Sequence, residues 1–233
     1  MKRYILLLCF TSCFSMLFAQ SQKVKNQPYA DQKIFHYGFM MGIHSQDLEF
    51  FHTGVTTPKG ESWFAEIPNH NPGFNVGLIG DLYLTPVLNL RFSPSLYFGD
   101  KNIVFRDHNS GKETNFTMKT NYLMLPIHLK FSSERLNNIR PYLIAGPSIA
   151  FDLSKKKGSE LLAKSVSTYF EIGIGCNLYY RYFKFCPELK FCLGLNDLLE
   201  KDRSDLVILD NIKYTNALSK MTSRLFVLSL NFE

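Results

Sequence analysis

Apolar and polar side chains alternate at every second position in eight segments of the chain. In segment 121–131 the apolar set is Leu123, Leu125, Ile127, Leu129 and Phe131. A strand with one apolar face has this period. The eight segments are 34–46, 73–84, 87–98, 121–131, 140–153, 168–182, 183–196 and 221–232. Each is long enough to cross a bilayer at a tilt.

The lengths of the connections favour a membrane barrel over a soluble sandwich. Connections 47–72, 99–115, 154–167 and 197–220 are long, whereas 85–86, 132–139 and the turn near Tyr182 are shorter. Outer-membrane barrels have short periplasmic turns and longer outer loops, and sandwiches have no reason to separate the two. The sequence predicts an all-β, eight-stranded, antiparallel, up-and-down transmembrane barrel. Its even strand number places both termini on one side, the periplasm.

The face opposite the apolar one contains glycine, asparagine, tyrosine and charges of both signs. An eight-stranded barrel is just wide enough inside for its own side chains. Opposite charges would pair there, because an unpaired buried charge is costly. We therefore expect a side-chain-filled lumen without an open channel. Its predicted charge network is Asp81, Arg91, His128, Lys130, Glu171, Arg181, Glu188 and Lys190.

Pro126 interrupts the fourth segment. Proline cannot donate to a sheet ladder, so we expect a bulge or a distorted pairing at this residue.

The N-terminus predicts export from the cytoplasm. Lys2 and Arg3 precede an apolar run, and cleavage after Ala19 gives a signal peptide over 1–19. A periplasmic N-terminal segment over 20–33 and the barrel over 34–233 follow. A lipoprotein signal ending at Cys13 is the alternative, but the residues before Cys13 form a poor lipobox.

Composition adds mainly exclusions. The chain has 233 residues and a net charge of +6, but its basic residues are scattered, so no nucleic-acid partner is predicted. Cys176, Cys186 and Cys192 are an odd set without CxxC spacing, which indicates neither a disulfide framework nor a metal site. We predict no cofactor and no small-molecule substrate.

Three arrangements resemble catalytic ones, and each has a structural explanation. The Gly146–Pro147–Ser148 run imitates a nucleophile elbow but lies within a strand pattern. His44 and Ser45 are strand neighbours, so they point to opposite faces. His128 and Glu171 could form an acid–base pair or a satisfied interior network. We predict that the protein is not an enzyme, with a lipid-modifying barrel as the alternative.

The stretch YLMLPIHLKFSS, followed by RPYLIAGPSIAFDL, resembles the PorT family of small outer-membrane barrels of Bacteroidetes. The residues that match the family pattern are Pro126, Arg140, Pro141, Tyr142, Gly146 and Asp152. Pro147 departs from it, because a residue able to donate a hydrogen bond is expected there. The resemblance is firmest over 121–153.

This resemblance implies an eight-stranded outer-membrane barrel and, by chain length, the type IX secretion branch that serves cargo export and gliding motility. It implies no catalytic residue. The expected partners are outer-membrane lipid and other secretion-machinery proteins. Looser relatives share the barrel alone, so an adhesin or binding barrel that acts through its long loops is a second hypothesis.

Overall fold

A computed structural model describes residues 25–55, 60–66, 71–108, 111–154, 162–201 and 212–233. The predicted signal peptide and residues 20–24 lie outside this range. The described residues form a 3-10 turn (Ala30–Gln32), twelve strands and a short α-helix: β1 (Phe35–His52), β2 (Trp63–Glu66), β3 (Pro72–Thr85), β4 (Leu88–Phe92), β5 (Ser95–Phe98), β6 (Asp100–Asp107), β7 (Glu113–Lys119), β8 (Tyr122–Ser132), β9 (Ile139–Asp152), β10 (Val166–Tyr179), β11 (Lys184–Gly194), α1 (Ile212–Asn216) and β12 (Leu218–Phe232). No helix in these ranges is both long and apolar enough to span a membrane.

The larger sheet closes on itself. Its order is β1, β12, β11, β10, β9, β8, then β4 with β5, then β3, and β3 pairs again with β1 from Phe35↔Leu82 to Ser45↔Pro72. Because β4 and β5 occupy one position, the ring has eight positions, and all its pairings are antiparallel. The predicted eight-stranded antiparallel barrel is confirmed.

The alternation in sequence becomes an inside and an outside. On β8, Phe131 is 50% exposed whereas its neighbour Lys130 is 2% exposed. The same contrast holds on β1, where Phe39 and Ile43 face outward and Met40 and His44 are buried. An apolar outer wall is what a hydrocarbon environment requires, since lipid offers no partner to a polar group.

Prolines interrupt the wall in one region. Segment 87–98, predicted as one strand, breaks at Ser93 and Pro94 into β4 and β5. The break lies beside Pro126, because β8 pairs with β4 as far as Ile127 and with β5 only from Met124 onward. The β8–β9 register also has a gap next to Pro126. The distorted pairing expected at Pro126 is present, and it extends over adjacent strands.

The two ends of the barrel differ. Three short connections, at 86–87, 133–138 and 180–183, lie at one end, which we call the turn end. The longer connections lie at the opposite end, which we call the cap end. Both Phe35 of β1 and Phe232 of β12 lie at the turn end. Segment 168–182 ends there as a strand at Tyr179, three residues earlier than predicted.

The cap end is more ordered than predicted. Connections 47–72 and 99–115 were expected as loops, but β1 continues to His52, and β2, β6 and β7 form a second, three-stranded sheet. Strands β6 and β7 almost directly continue β5 and β8 beyond the ring. The cap has an apolar core of Leu48, Trp63, Ala65, Ile103, Phe105, Ala163, Leu198, Leu199, Tyr214, Ala217, Leu218 and Met221.

Close packing of the wall makes Gly146 a test of the fold. A β-carbon at this inward position would overlap the carbonyl oxygen of Ile127 on β8. We expect Gly146→Val to lower the free energy of unfolding by about 1–3 kcal/mol, the usual range for overpacking. The measurement is urea unfolding in detergent, followed by the different gel migration of unheated folded barrel.

The matched control is Ala145→Val, one residue away on the lipid-facing side, where the side chain is only half-buried. This control should leave the unfolding midpoint nearly unchanged. Equal effects of the two substitutions would contradict the close approach of β8 and β9 at Gly146.

The lumen and the two ends as the candidate functional site

A cluster of ion pairs fills the lumen near the turn end. Arg91 of β4 lies at its centre, with Nη2 2.9 Å from Asp81 Oδ2, Nη1 3.0 Å from Glu188 Oε2, and Nη2 2.5 Å from Glu233 Oε1. Lys130 Nζ adds a contact of 3.0 Å to Asp81 Oδ2. The sheet register brings the pair together, since Asp81 of β3 lies directly opposite Arg91.

Two members of this cluster were missed by the sequence reasoning. The Glu233 carboxylate accepts from Arg91, and Lys184 Nζ lies 2.6 Å from Glu233 Oε2. The alternation contained the signal, because Glu233 follows the outward Phe232 and Lys184 lies between Phe183 and Phe185. Glu233 lies one residue beyond the predicted segment 221–232, and Lys184 lies at the start of segment 183–196 but was not assigned to either face.

Tyr142 completes the cluster and explains one position of the family pattern. Its hydroxyl donates to Glu188 Oε2 at 2.7 Å, and Lys130 Nζ lies 4.5 Å from the centre of its ring. The ring therefore contacts a cation while the hydroxyl contacts an anion. Asn89 donates to the second Asp81 oxygen, Oδ1, at 2.8 Å.

A second, smaller charge cluster lies farther along the lumen. His128 Nε2 is 3.0 Å from Glu171 Oε2, and Lys190 Nζ is 3.5 Å from the same oxygen. All three side chains are at most 1% exposed. Because His128 and Glu171 are enclosed, a substrate that diffuses in water or lipid has no access to them.

Glycines make room for the long charged side chains. Gly173 and Gly175 of β10 lie opposite Lys190 and Glu188 of β11 in the register. A β-carbon on Gly173 would come within 2.9 Å of the Lys190 side chain, and one on Gly175 would overlap the Tyr142 ring. The repeated glycines of the polar face thus set the volume that the charges occupy.

Arg181 does not join the lumen network, and that prediction is wrong. It lies in the β10–β11 turn, beyond the end of β10 at Tyr179, and its side chain is exposed. The prediction continued the alternation of inward and outward residues beyond Tyr179. Arg181 lies outside the strand, so the alternation does not determine where its side chain points. The other seven predicted residues, from Asp81 to Lys190, have buried side chains that face the lumen.

Beyond the charges, toward the cap end, an aromatic layer crosses the lumen among buried polar side chains such as Gln46, Asn75 and Ser223. Tyr97, Tyr122, Tyr169 and Met124 pack there with Ala150, Cys192, Leu225 and Val227. Gln46 bridges this layer by donating to Ser223 Oγ at 2.8 Å and to the Tyr122 hydroxyl at 3.4 Å.

The three cysteines of the described residues, Cys176, Cys186 and Cys192, are free thiols.

Arg140 joins separate segments at the turn end. Its Nε donates to the Ser133 carbonyl at 2.8 Å, its Nη2 donates to the Pro86 carbonyl, and its Nη1 lies 3.0 Å from Asp31 Oδ1. The first two contacts connect the β3–β4 and β8–β9 turns. The third contact holds the N-terminal segment against the barrel.

Asp31 is the acidic partner at this end. Burial raises the pKa of Asp31, but the hydrogen bond from Tyr179 and the guanidinium groups of Arg140 and Arg135 outweigh it and hold the pKa below its usual range. The carboxylate is therefore ionised at neutral pH. Arg135 Nη1 lies 3.6 Å from Asp31 Oδ2.

The remaining family-pattern residues have structural positions. Pro126 and Gly146 are in the close β8–β9 contact described above. Pro141 lies on β9 opposite Cys176, and its exposed ring faces outward on the wall. Asp152 ends β9, where its Oδ1 accepts from both the amide and the hydroxyl of Ser154 at 2.8 Å.

Tyr214 organises the cap. Its ring lies 5.0 Å from Phe105, 5.1 Å from Trp63 and 5.1 Å from Phe116, each in an edge-on arrangement. Asp197 ties the β11–β12 connection to β12, since its Oδ1 accepts from the amides of Leu199 and Met221. Partial burial raises the pKa of Asp197, but these two hydrogen bonds and nearby lysines outweigh it and lower the pKa.

The chemistry that this arrangement can perform is limited. Within the described ranges, no group of three His, Cys, Asp or Glu side chains is placed to hold a metal ion. His44 is buried whereas Ser45 faces the other side of β1. Ser148 lies within β9, not at a strand-to-helix turn. The geometry describes a closed, charge-matched interior with a structured surface at each end.

A closed ring of strands with an apolar outer wall and a polar, filled lumen defines the class of small transmembrane β-barrels. The family model described as "Outer membrane protein beta-barrel domain" matches residues 18–200, and the chain belongs to this family. The protein is therefore an integral barrel of the outer membrane.

The chain is also similar to several solved structures. The chain is similar to Neisserial surface protein A (NspA), with 8% identity over 85% of this chain and 98% of that chain and a TM-score of 0.44. It is similar to Ail of Yersinia pestis, with 8% identity over 84% and 96% and a TM-score of 0.35. For AlkL, solved in lipid bilayers, the identity is 12% over 92% of both chains and the TM-score is 0.37. No curated protein matches the chain.

Arg91 is the residue on which the lumen charges depend most. Arg91→Met would leave Asp81, Glu188 and Glu233 together without their shared cation. We expect the free energy of unfolding to fall by about 3–5 kcal/mol, the cost of breaking a buried pair on one side. The measurement is urea unfolding in detergent.

The control is Arg106→Met in the cap, where the Arg106–Glu113 pair is exposed at 2.7 Å. An exposed pair contributes about 0–1 kcal/mol, so this variant should unfold near the wild-type midpoint. A similar loss from both variants would show that the lumen cluster has no special role.

The filled lumen also predicts the absence of ion conduction. Purified protein reconstituted in planar bilayers should give no stable single-channel steps, because charged pairs and the aromatic layer occupy the interior. An open porin in the same membranes serves as the control. Reproducible steps from the wild-type barrel would contradict a closed lumen.

Proposed function

We propose that this protein is a non-enzymatic component of the type IX secretion machinery, needed for cargo export and seated in the outer membrane with both termini in the periplasm. The observation that carries the proposal is the resemblance of 121–153 to the PorT family. The matching residues have constrained positions: Arg140 ties two turns together, Tyr142 bridges the lumen charges, and Gly146 permits a close approach of β8 and β9. The residues that carry the resemblance are therefore ones that hold the turns, the lumen charges and the strand packing of the barrel in place.

The closed lumen supports an interaction role rather than transport through this barrel. A cargo protein could not pass a lumen occupied by ion pairs and an aromatic layer. The protein would act by contacts made at its ends, where the cap and the turn end present ordered surfaces. The enclosed His128–Glu171 pair supports a non-enzymatic role, because no substrate can reach it.

An adhesin or binding barrel is the second candidate, and the cap favours it. Its apolar core orders the described parts of connections 47–72 and 197–220 into one body. Such rigidity suits a surface that must keep its shape for a ligand.

A clean deletion in the native host tests the secretion role. We expect secreted cargo to accumulate inside the cells of the deletion strain, because a machine that lacks a required contact cannot export it. A plasmid with the wild-type gene should restore export. The measurement is the amount of cargo in the medium and in the periplasm. Unimpaired export in the deletion strain would contradict the proposal.

A cap variant separates the two candidates. Replacing residues 53–71 with a short turn removes β2 from the cap and leaves the ring strands in place. If this variant restores export in the deletion strain but the barrel no longer binds its surface ligand, the adhesin role is favoured. Loss of export with the barrel still folded would place the secretion contact on the cap.

A further inference from the structure

The turn end contains a carboxylate-binding site built from two elements. Arg135 and Arg140 belong to the β8–β9 hairpin, Arg135 within its turn and Arg140 just after the turn on β9, and Tyr179 ends β10. Together they hold the Asp31 carboxylate, with Arg140 Nη1 at 3.0 Å, Arg135 Nη1 at 3.6 Å, and the Tyr179 hydroxyl donating to Oδ1. Arg140 and the Tyr179 phenol donate hydrogen bonds to the carboxylate, and Arg135 adds a second positive charge at ion-pair distance.

The donors are positioned independently of Asp31. Arg140 is fixed by the Ser133 and Pro86 carbonyls, as described above. Arg135 Nε donates to the Asn137 carbonyl at 2.8 Å, and its guanidinium lies 3.6 Å from the centre of the Tyr179 ring. The site would therefore keep its shape if the aspartate left.

The segment that supplies Asp31 is held by polar contacts. We call residues 25–33 the strap. The Asn26 amide donates to Asn138 Oδ1 at 2.8 Å, the Asn26 side chain donates to the Tyr179 carbonyl at 3.0 Å, and Arg135 donates to the Asn26 and Gln27 carbonyls. Most of these contacts involve backbone groups, which any sequence can offer.

The strap buries almost no apolar surface. Tyr29 is 73% exposed, and Ile34, just after the strap, is 72% exposed, whereas the small side chain of Ala30 is buried. The ring closes without the strap, because β1 begins only at Phe35. A segment attached by exchangeable hydrogen bonds and one carboxylate can be replaced by another of the same kind.

We propose that the Arg135–Arg140–Tyr179 site is a docking site for a short, turn-forming, carboxylate-bearing segment of a partner protein, and that the strap, whose Asp31 lies in the 3-10 turn Ala30–Gln32, is its resident, displaceable ligand. The partner is recognised by an Asp or Glu side chain placed about five residues after a backbone stretch that Arg135 and Asn138 bind. This inference deepens the proposed function and rests on it for the periplasmic position of the turn end.

The test uses full-length protein in detergent and a fluorescent peptide with the sequence of residues 25–34. Asp31→Asn in the protein should weaken the hold of the strap, so the peptide should bind this variant at least about tenfold more tightly than wild type. The same peptide with Asn in place of Asp31 should lose at least about tenfold in affinity for that variant. Fluorescence anisotropy measures both.

Two further binding measurements distinguish a docking site that accepts partner segments from a site that holds only the strap. A peptide that keeps Asn26 and Asp31 but has alanine elsewhere should bind within about tenfold of the native peptide. Adding Arg135→Gln to the Asp31→Asn protein should remove binding, and the migration of unheated protein verifies that this double variant is folded.

Equal binding to wild type and Asp31→Asn, or equal binding of the acid and amide peptides, would overturn the proposal. Binding by the native peptide alone would make the site specific to the strap and overturn the partner role. These outcomes are independent of the secretion phenotype. Binding with unimpaired export would reject only the secretion role, and impaired export without binding would reject only the docking site.

Discussion

Closure of the ring is the constraint on which the rest of this structure depends. In hydrocarbon, each backbone N–H and C=O must find a partner within the protein, because lipid provides none. The pairing of β1 with both β12 and β3 removes the last free edges of the larger sheet. Once the ring is closed, every strand has one face toward lipid and one toward the lumen, and the period of two in the sequence follows from that division.

Closure also determines what the lumen must contain. An interior of eight strands is too narrow for bulk water, so the inward residues must satisfy one another. Charged groups are balanced across different strands: Arg91 of β4 contacts Asp81 of β3 and Glu188 of β11. Glycines opposite the longest side chains supply the space. Charge and volume are thus matched across strands that are far apart in sequence, which makes the interior sensitive to single substitutions.

Sequence reasoning succeeded where a residue depends only on its own strand. The outward positions of Phe39, Leu129 and Phe131 follow from parity alone, and so does the eight-strand ring. It failed where parity ends or where distant segments meet. Arg181 lies beyond the last paired residue of its strand, and Glu233 acquires its role from Arg91 and Lys184 on other strands. The cap was missed because β2 is only four residues long and is stabilised by Tyr214 from a distant connection.

The prolines show how the same constraint shapes an apparent defect. Pro94 and Pro126 lack N–H groups, so neither leaves an unsatisfied donor in the membrane. Their carbonyls still accept hydrogen bonds, from the Leu78 amide at 3.0 Å and the Ser93 amide at 3.4 Å. Because the two prolines lie side by side on neighbouring strands, one irregular patch replaces two separate ones. On one side of the break β3 and β8 each pair with β4, and on the other side each pairs with β5. The ring therefore stays closed through its least regular region.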